Sequence, residues 1–179
     1  MMQSELRKMI ESNTSQFKDK LRIAGIVEES IVDGPGIRLT VFTQGCSHHC
    51  PGCHNPQTHD YKGGYEISID EIVDMVRENP LLDGITLSGG EPFDQAEACS
   101  TLARKIKELG LSVVVYTGYE FEYLLSGKEY NGLLLEADIL IDGRFDANRR
   151  DLTQAFKGST NQRIIDIRRT RLKGIICTI

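Results

Sequence analysis

The spacing of apolar and polar positions changes period several times along the chain, and each change marks an element. Leu21 to Glu28 and Arg38 to Thr43 are short runs rich in aliphatic and β-branched residues and read as strands. Between them, Asp33-Gly34-Pro35-Gly36 reads as a turn whose glycines permit positive φ and whose proline fixes its entry. Ile69, Ile72, Val73 and Val76 then form one helical stripe, opened by the capping-box pair Ser68 and Glu71 and stopped by Pro80. Gly84 to Ser88 is the next strand. A second helix is expected to open at Asp94 with Glu97 and to end at Gly110, followed by a β-branched strand over Leu111 to Tyr116. A short helix near Glu120 to Leu125 and strands over Asp138 to Asp142 and Arg163 to Ile167 complete the alternation.

Such alternation favours a largely parallel sheet with helices packed against it. A closed eight-unit barrel needs about 250 residues, more than the 179 here. The expected α/β fold is therefore an incomplete, open parallel β/α barrel of roughly five or six units, at ~30 residues per βαβ. Gly89-Gly90-Glu91, Thr117-Gly118 and Asp142-Gly143 each follow the carboxyl end of an expected strand, where such folds place their ligands. The open side would admit a large substrate. Residues 1–20, polar and charged, read as an N-terminal extension, either a peripheral helix or a frayed tail, and 21–179 as a single domain.

Composition, 40% hydrophobic and 26% charged, suits one soluble globular domain. No apolar run approaches the ~18 residues of a membrane span and the first twenty residues lack an export core, so a cytoplasmic protein away from membranes is expected. The net charge of −5 gives no support for nucleic-acid binding. The charge is uneven, however: Arg144 to Lys173 holds nine Lys/Arg against three Asp/Glu. Such a run is either a solvated face or a docking surface for an acidic protein partner.

The chemistry concentrates in Cys46-Ser-His-His-Cys50-Pro-Gly-Cys53. Its Cys-x3-Cys-x2-Cys spacing is one thiolate short of a four-ligand site, which leaves a coordination position for something else. A Cys3His zinc site is the rival reading, since His48, His49, His54 and His59 are all near in sequence. Downstream, Thr86-Leu87-Ser88-Gly89-Gly90-Glu91-Pro92 has no use in a zinc finger. There a buried strand meets two glycines that allow close backbone approach, and carbonyls with one carboxylate suit an ammonium. Cys99 shares an apolar helix face with Leu102, Ala103 and Ile106, and Cys177 lies in an apolar tail; both read as small buried hydrophobes. These two are too few for a metal site of their own.

The cysteine triplet with the Gly-Gly-Glu-Pro segment resembles the radical S-adenosylmethionine (SAM) enzymes, whose three cysteines hold a [4Fe-4S] cluster and whose fourth iron is chelated by SAM. Asp33-Gly34-Pro35-Gly36-Ile37-Arg38 and Cys53-His54-Asn55-Pro56 look like those members that install a glycyl radical in a partner enzyme. Tyr116-Thr117-Gly118-Tyr119, Ile141-Asp142-Gly143-Arg144-Phe145 and the run from Gly158 to Asp166 are similar to activating proteins of anaerobic (class III) ribonucleoside-triphosphate reductases. The resemblance runs from about Arg22 to Ile167.

It implies that Cys46, Cys50 and Cys53 ligate iron, that Gly52 and His54 flank the SAM site with His54 by the adenine, and that Gly89, Gly90 and Glu91 receive the methionine amino group. Asp142 would lie near the SAM carboxylate with a bound cation, or else simply form an Asp-Gly turn. Arg38 would contact SAM or the partner, or form a salt bridge at the sheet end. Flavodoxin or ferredoxin would supply the electron, and the 5′-deoxyadenosyl radical would take a glycine Cα hydrogen from the reductase. Pyruvate formate-lyase or another glycyl-radical enzyme is the alternative partner. From other classes, a Cys3His zinc module and a simple electron carrier stay open.

Overall fold

The computed structural model describes residues 19–151 and 153–179. The expected extension over 1–20 therefore lies outside the described residues up to 18, and Lys20 already begins the first strand. Seven strands form one sheet among the described residues: β1 (Lys20–Ser30), β2 (Arg38–Thr43), β3 (Tyr65–Ser68), β4 (Gly84–Gly89), β5 (Ser112–Tyr116), β6 (Ile139–Asp142) and β7 (Arg163–Asp166). Their order is β3-β1-β2-β4-β5-β6-β7.

Only the centre of this sheet is parallel. The pairs β2–β4, β4–β5 and β5–β6 run parallel, whereas β1–β2, β1–β3 and β6–β7 are antiparallel. The expectation of a largely parallel sheet is corrected to a mixed α/β sheet, not closed, with antiparallel strands at both sides. On the β1 side the physical reason is connection length. The 31–37 turn is too short for a crossover helix, so β1 must return beside β2 as its antiparallel neighbour.

Alternation along the central strands builds two unlike faces. Leu39, Val41, Ile85, Leu87, Val113, Val115 and Leu140 point into the main core. There they meet helix α1 (Ile69–Glu78) through Ile69, Ile72, Val73 and Val76, and helix α2 (Ala96–Glu108) through Cys99, Leu102, Ala103 and Ile106. Each such aliphatic side chain contributes about 1.5–3 kcal/mol on full burial. The intervening positions, Arg38, Thr40, Phe42, Thr86, Ser88 and Tyr116, face the other way, and several of them line a cavity.

Local chemistry sets the helix ends. The expected capping box is present: Ser68 Oγ accepts from Glu71 N at 3.1 Å, and Ser68 N donates to Glu71 Oε2 at 3.0 Å. The expected start of α2 at Asp94 is corrected. A 3-10 turn over Pro92–Gln95 precedes the helix, and the Asp94 carboxylate accepts hydroxyl protons from Tyr61 and Tyr119. Gln95 instead fixes this end, exchanging hydrogen bonds with the main chain of Arg22 and donating to Gln44 O.

Further helices are α3 (Phe121–Ser126), α4 (Asn131–Glu136) and α5 (Ile167–Lys173). Neither α4, α5 nor β3 was expected from the sequence. The tail past α5 turns at Gly174 and returns along β7, where Asp166 N donates to Cys177 O and Ile179 N to Ile164 O, both at 2.9 Å. It thereby covers a strand edge that would otherwise present open hydrogen-bonding groups.

Candidate active site

The carboxyl ends of β2, β4, β5 and β6 open on one cavity of about 830 Å³, and Cys46, Cys50 and Cys53 all line it. The cysteine loop leaves β2 through Gln44, whose side-chain amide donates to Gln57 O at 3.1 Å and Asp60 O at 2.6 Å, while Gly45 N donates to Thr58 O at 2.8 Å. These bonds close residues 44–60 into a compact turn. Cys46 is buried, and Cys50 and Cys53 are half-buried.

Asn55 N donates to Cys53 Sγ at 3.4 Å. Burial pushes the Cys46 thiol up to about 11 and that of Cys50 upward as well. A bound metal reverses this preference by holding the thiolate form.

Gly89 and Gly90 line the same cavity. They also carry a packing requirement: a Cβ on Gly89, whose φ is +93°, would lie 2.6 Å from Phe42 Cα, and one on Gly90 would collide with Gly45 O. Gly90 N donates to Thr43 O and Glu91 N to Gly45 O, both at 2.8 Å, so the end of β4 lies directly on the root of the cysteine loop. His54 is exposed at the cavity wall with its ring 4.8 Å from that of Phe145. Gly52 lies outside the cavity lining, is exposed, and has φ of +73°, which a side chain rarely adopts.

Two expected ligand residues are already engaged by the protein's own groups. Glu91 is fully buried, and its carboxylate accepts from Phe93 N at 3.0 Å, Thr117 Oγ1 at 2.9 Å, Gly118 N at 2.8 Å and His48 Nε2 at 2.9 Å. A carboxylate offers about four acceptor positions, and these donors fill them. An incoming ammonium would have to displace one. Asp142 is likewise buried: it accepts from Phe121 N at 2.8 Å at the start of α3 and pairs with both Nε and Nη2 of Arg163, which also holds Glu122. The Asp142 carboxylate is thus already paired with a guanidinium. Arg38, the third ambiguous charge, makes no salt bridge among the described residues. It donates to Thr86 Oγ1, Pro35 O, Ser112 Oγ, Ile85 O and Ser112 O.

The histidines do not assemble a zinc site. His48 is bonded to Glu91, His49 faces His59 with their Nδ1 atoms 3.3 Å apart, and His54 packs on Phe145. Among the described residues, no three His, Cys, Asp or Glu side chains converge as ligands of a single ion. A zinc ion needs four donors at about 2.0–2.3 Å, whereas a cubane spreads its thiolates over separate irons. Three thiols on one cavity wall, beside a glycine pair, fit the cluster.

Residues 32–165 match the family described as a 4Fe-4S single cluster domain. The chain belongs to that family. It is 31% identical over 142 residues to the anaerobic ribonucleoside-triphosphate reductase-activating protein of Haemophilus influenzae, spanning 74% of this chain and 89% of that relative. The protein of the same description from Escherichia coli K12 is 32% identical over 146 residues, 77% of this chain and 94% of the relative. The pyruvate formate-lyase-activating enzyme of Clostridium pasteurianum is 36% identical over 126 residues, 67% of this chain but 50% of that longer protein. Among the residues that line the cavity, the segment around Phe156 had no signal in the sequence reading, whereas His48 had been weighed only as a zinc ligand, and Tyr116 and Phe145 only as parts of family-like segments.

Proposed function

We propose that this chain is a radical SAM activase that cleaves SAM reductively and places a glycyl radical on anaerobic ribonucleoside-triphosphate reductase. The observation that carries this reading is the meeting of Cys46, Cys50 and Cys53 with Gly89 and Gly90 on one cavity wall, in a chain that covers nearly the whole length of reductase-activating relatives. A [4Fe-4S] cluster chelated by SAM would supply a one-electron cleavage to methionine and a 5′-deoxyadenosyl radical.

The chain's own residues bind and orient. Cys46, Cys50 and Cys53 would hold the irons, and the main-chain N–H of Asn55 on the Cys53 sulfur would temper the charge there. Gly89 and Gly90 offer main-chain carbonyls to the methionine amino group, and His54 with Phe145 flanks the adenine. Gly52 lets the loop turn between the last two ligands. The open sheet is read as an incomplete β/α barrel over residues 21–179, whose concave face, with Phe42, Ser88 and Tyr116, excludes water around the target glycine. A cytoplasmic flavodoxin or ferredoxin supplies the electron. No helix of the described residues is long and apolar enough to cross a membrane.

A second reading, activation of pyruvate formate-lyase or a related enzyme, is favoured by the 36% identity to such an activase. The test is anaerobic reconstitution and dithionite reduction, following 5′-deoxyadenosine and the glycyl radical signal with each candidate partner. A radical on the reductase alone supports the proposal. A radical on pyruvate formate-lyase alone transfers it to the second reading, and iron-loaded protein that leaves SAM intact overturns both.

A further inference from the structure

We propose that Glu91 and His48 form a positioning clamp that sets the cysteine loop against the SAM-binding strand ends. The ammonium contact is left to the neighbouring backbone. In its consequence for SAM the inference rests on the activase reading; in its consequence for the loop it does not.

The argument starts from where the carboxylate's donors come from. Phe93 N belongs to its own 3-10 turn, Thr117 Oγ1 and Gly118 N to the segment leaving β5, and His48 Nε2 to the cysteine loop, two residues past Cys46. One fully buried group therefore joins three segments that meet nowhere else in sequence. A carboxylate only accepts, so the hydrogen of this bond sits on His48 Nε2. The ring's other nitrogen, Nδ1, is buried without a hydrogen-bond partner. The bond to Glu91 is thus the imidazole's one polar attachment among the described residues.

The surroundings hold the ring in one place. Tyr119 meets it edge-on at 4.5 Å between centroids. Gly118 lies so close that a Cβ there would collide with the ring. His48 also stands only two residues past Cys46 in the same loop. A shift of the imidazole consequently moves the backbone that carries the first thiol.

Three substitutions approach the clamp from different sides. Glu91→Gln removes the charge and brings an amide N–H toward donors; His48→Phe keeps the aromatic edge but loses the bond; Gly118→Ala pushes the ring aside without touching the carboxylate. In the metal-free protein, iodoacetamide labelling of Cys46 should be about tenfold faster in all three, about 1.4 kcal/mol of local opening. Cys99, fully buried in α2, reports global unfolding and should label as slowly as in the unaltered protein. In reconstituted protein, each variant should keep its iron but raise KM for SAM about tenfold, and the Glu91→Gln/His48→Phe pair should be no worse than its worse member.

Unchanged Cys46 labelling in His48→Phe and Gly118→Ala overturns the clamp. So does a KM effect confined to Glu91→Gln, which would mark a direct ammonium contact. Faster Cys46 labelling in all three, in a protein that takes up no iron, would keep the clamp and overturn the activase reading instead.

Discussion

At the amino ends of β2, β4 and β5, Arg38 is fully buried and donates to the turn at Pro35 and to groups on β4 and β5; at the carboxyl ends, Glu91 is equally buried and accepts from three separate segments. Both are single charges, each saturated by neutral or aromatic-ring partners. The difference lies in what they join. Arg38 ties together strands that the ladder already pairs, so it closes the bottom of the sheet and reinforces one rigid body. Burial lowers its guanidinium to about 10, a cost tolerated because every donor finds an oxygen. Glu91 ties the sheet to the cysteine loop, which has no ladder of its own. Saturating a buried charge at one end stabilises the fold, and at the other sets the geometry of a site.

The comparison can be broken most severely at the thiols. Cys46→Ala, Cys50→Ala or Cys53→Ala should abolish iron uptake and deoxyadenosine formation while leaving the urea midpoint of the metal-free protein nearly unchanged. Normal iron content in any one would remove that cysteine from the ligand set. Next comes Arg38→Leu, which strands the carbonyls of Ile85 and Ser112. At about 1–3 kcal/mol for each unsatisfied buried group, the loss should be several kcal/mol in urea unfolding. A loss below 1 kcal/mol would mean that the sheet end relaxes around the gap.

Asp142→Asn should be milder, about 1–2 kcal/mol, because half-exposed Arg163 keeps its bonds to Glu122. KM for SAM should stay at its original value. A marked rise in KM would return Asp142 to the ligand site. The smallest effect belongs to Glu122. Hydrogen bonds from Arg163 hold its carboxyl down at about 2, so its contribution is complete above the ordinary carboxylate range and is lost as pH falls from there toward 2. The group is mostly exposed, so Glu122→Gln should cost less than about 1 kcal/mol at neutral pH. It should also flatten the acid limb of the metal-free protein's stability curve, and an unchanged limb would discount the pair.

Much of this was legible in the chain. The capping box at Ser68 and Glu71, the apolar stripe of α1, the β-branched run of β5 and the burial of Cys99 all follow from local pattern. The start of α2 was misread because Asp94, a good cap by type, finds two tyrosine hydroxyls from distant segments. β3 and α4, of four and six residues, are too short to show a period, and α5 is an arginine-rich turn without an apolar stripe.

By itself, the sequence determined which atoms could do chemistry: three thiols at a spacing that fits one turn of loop, and two glycines where strands must touch. Those are properties of residue type and local spacing, and no tertiary contact is needed to specify them. Only the tertiary structure decided what the charged residues do. Glu91, Asp142 and Arg38 each end within reach of partners 21 to 74 positions away, from Asp142 with Phe121 to Arg38 with Ser112. A buried charge takes whatever donors or acceptors folding brings to it, and the choice among ligand contact, clamp and closure follows from that geometry.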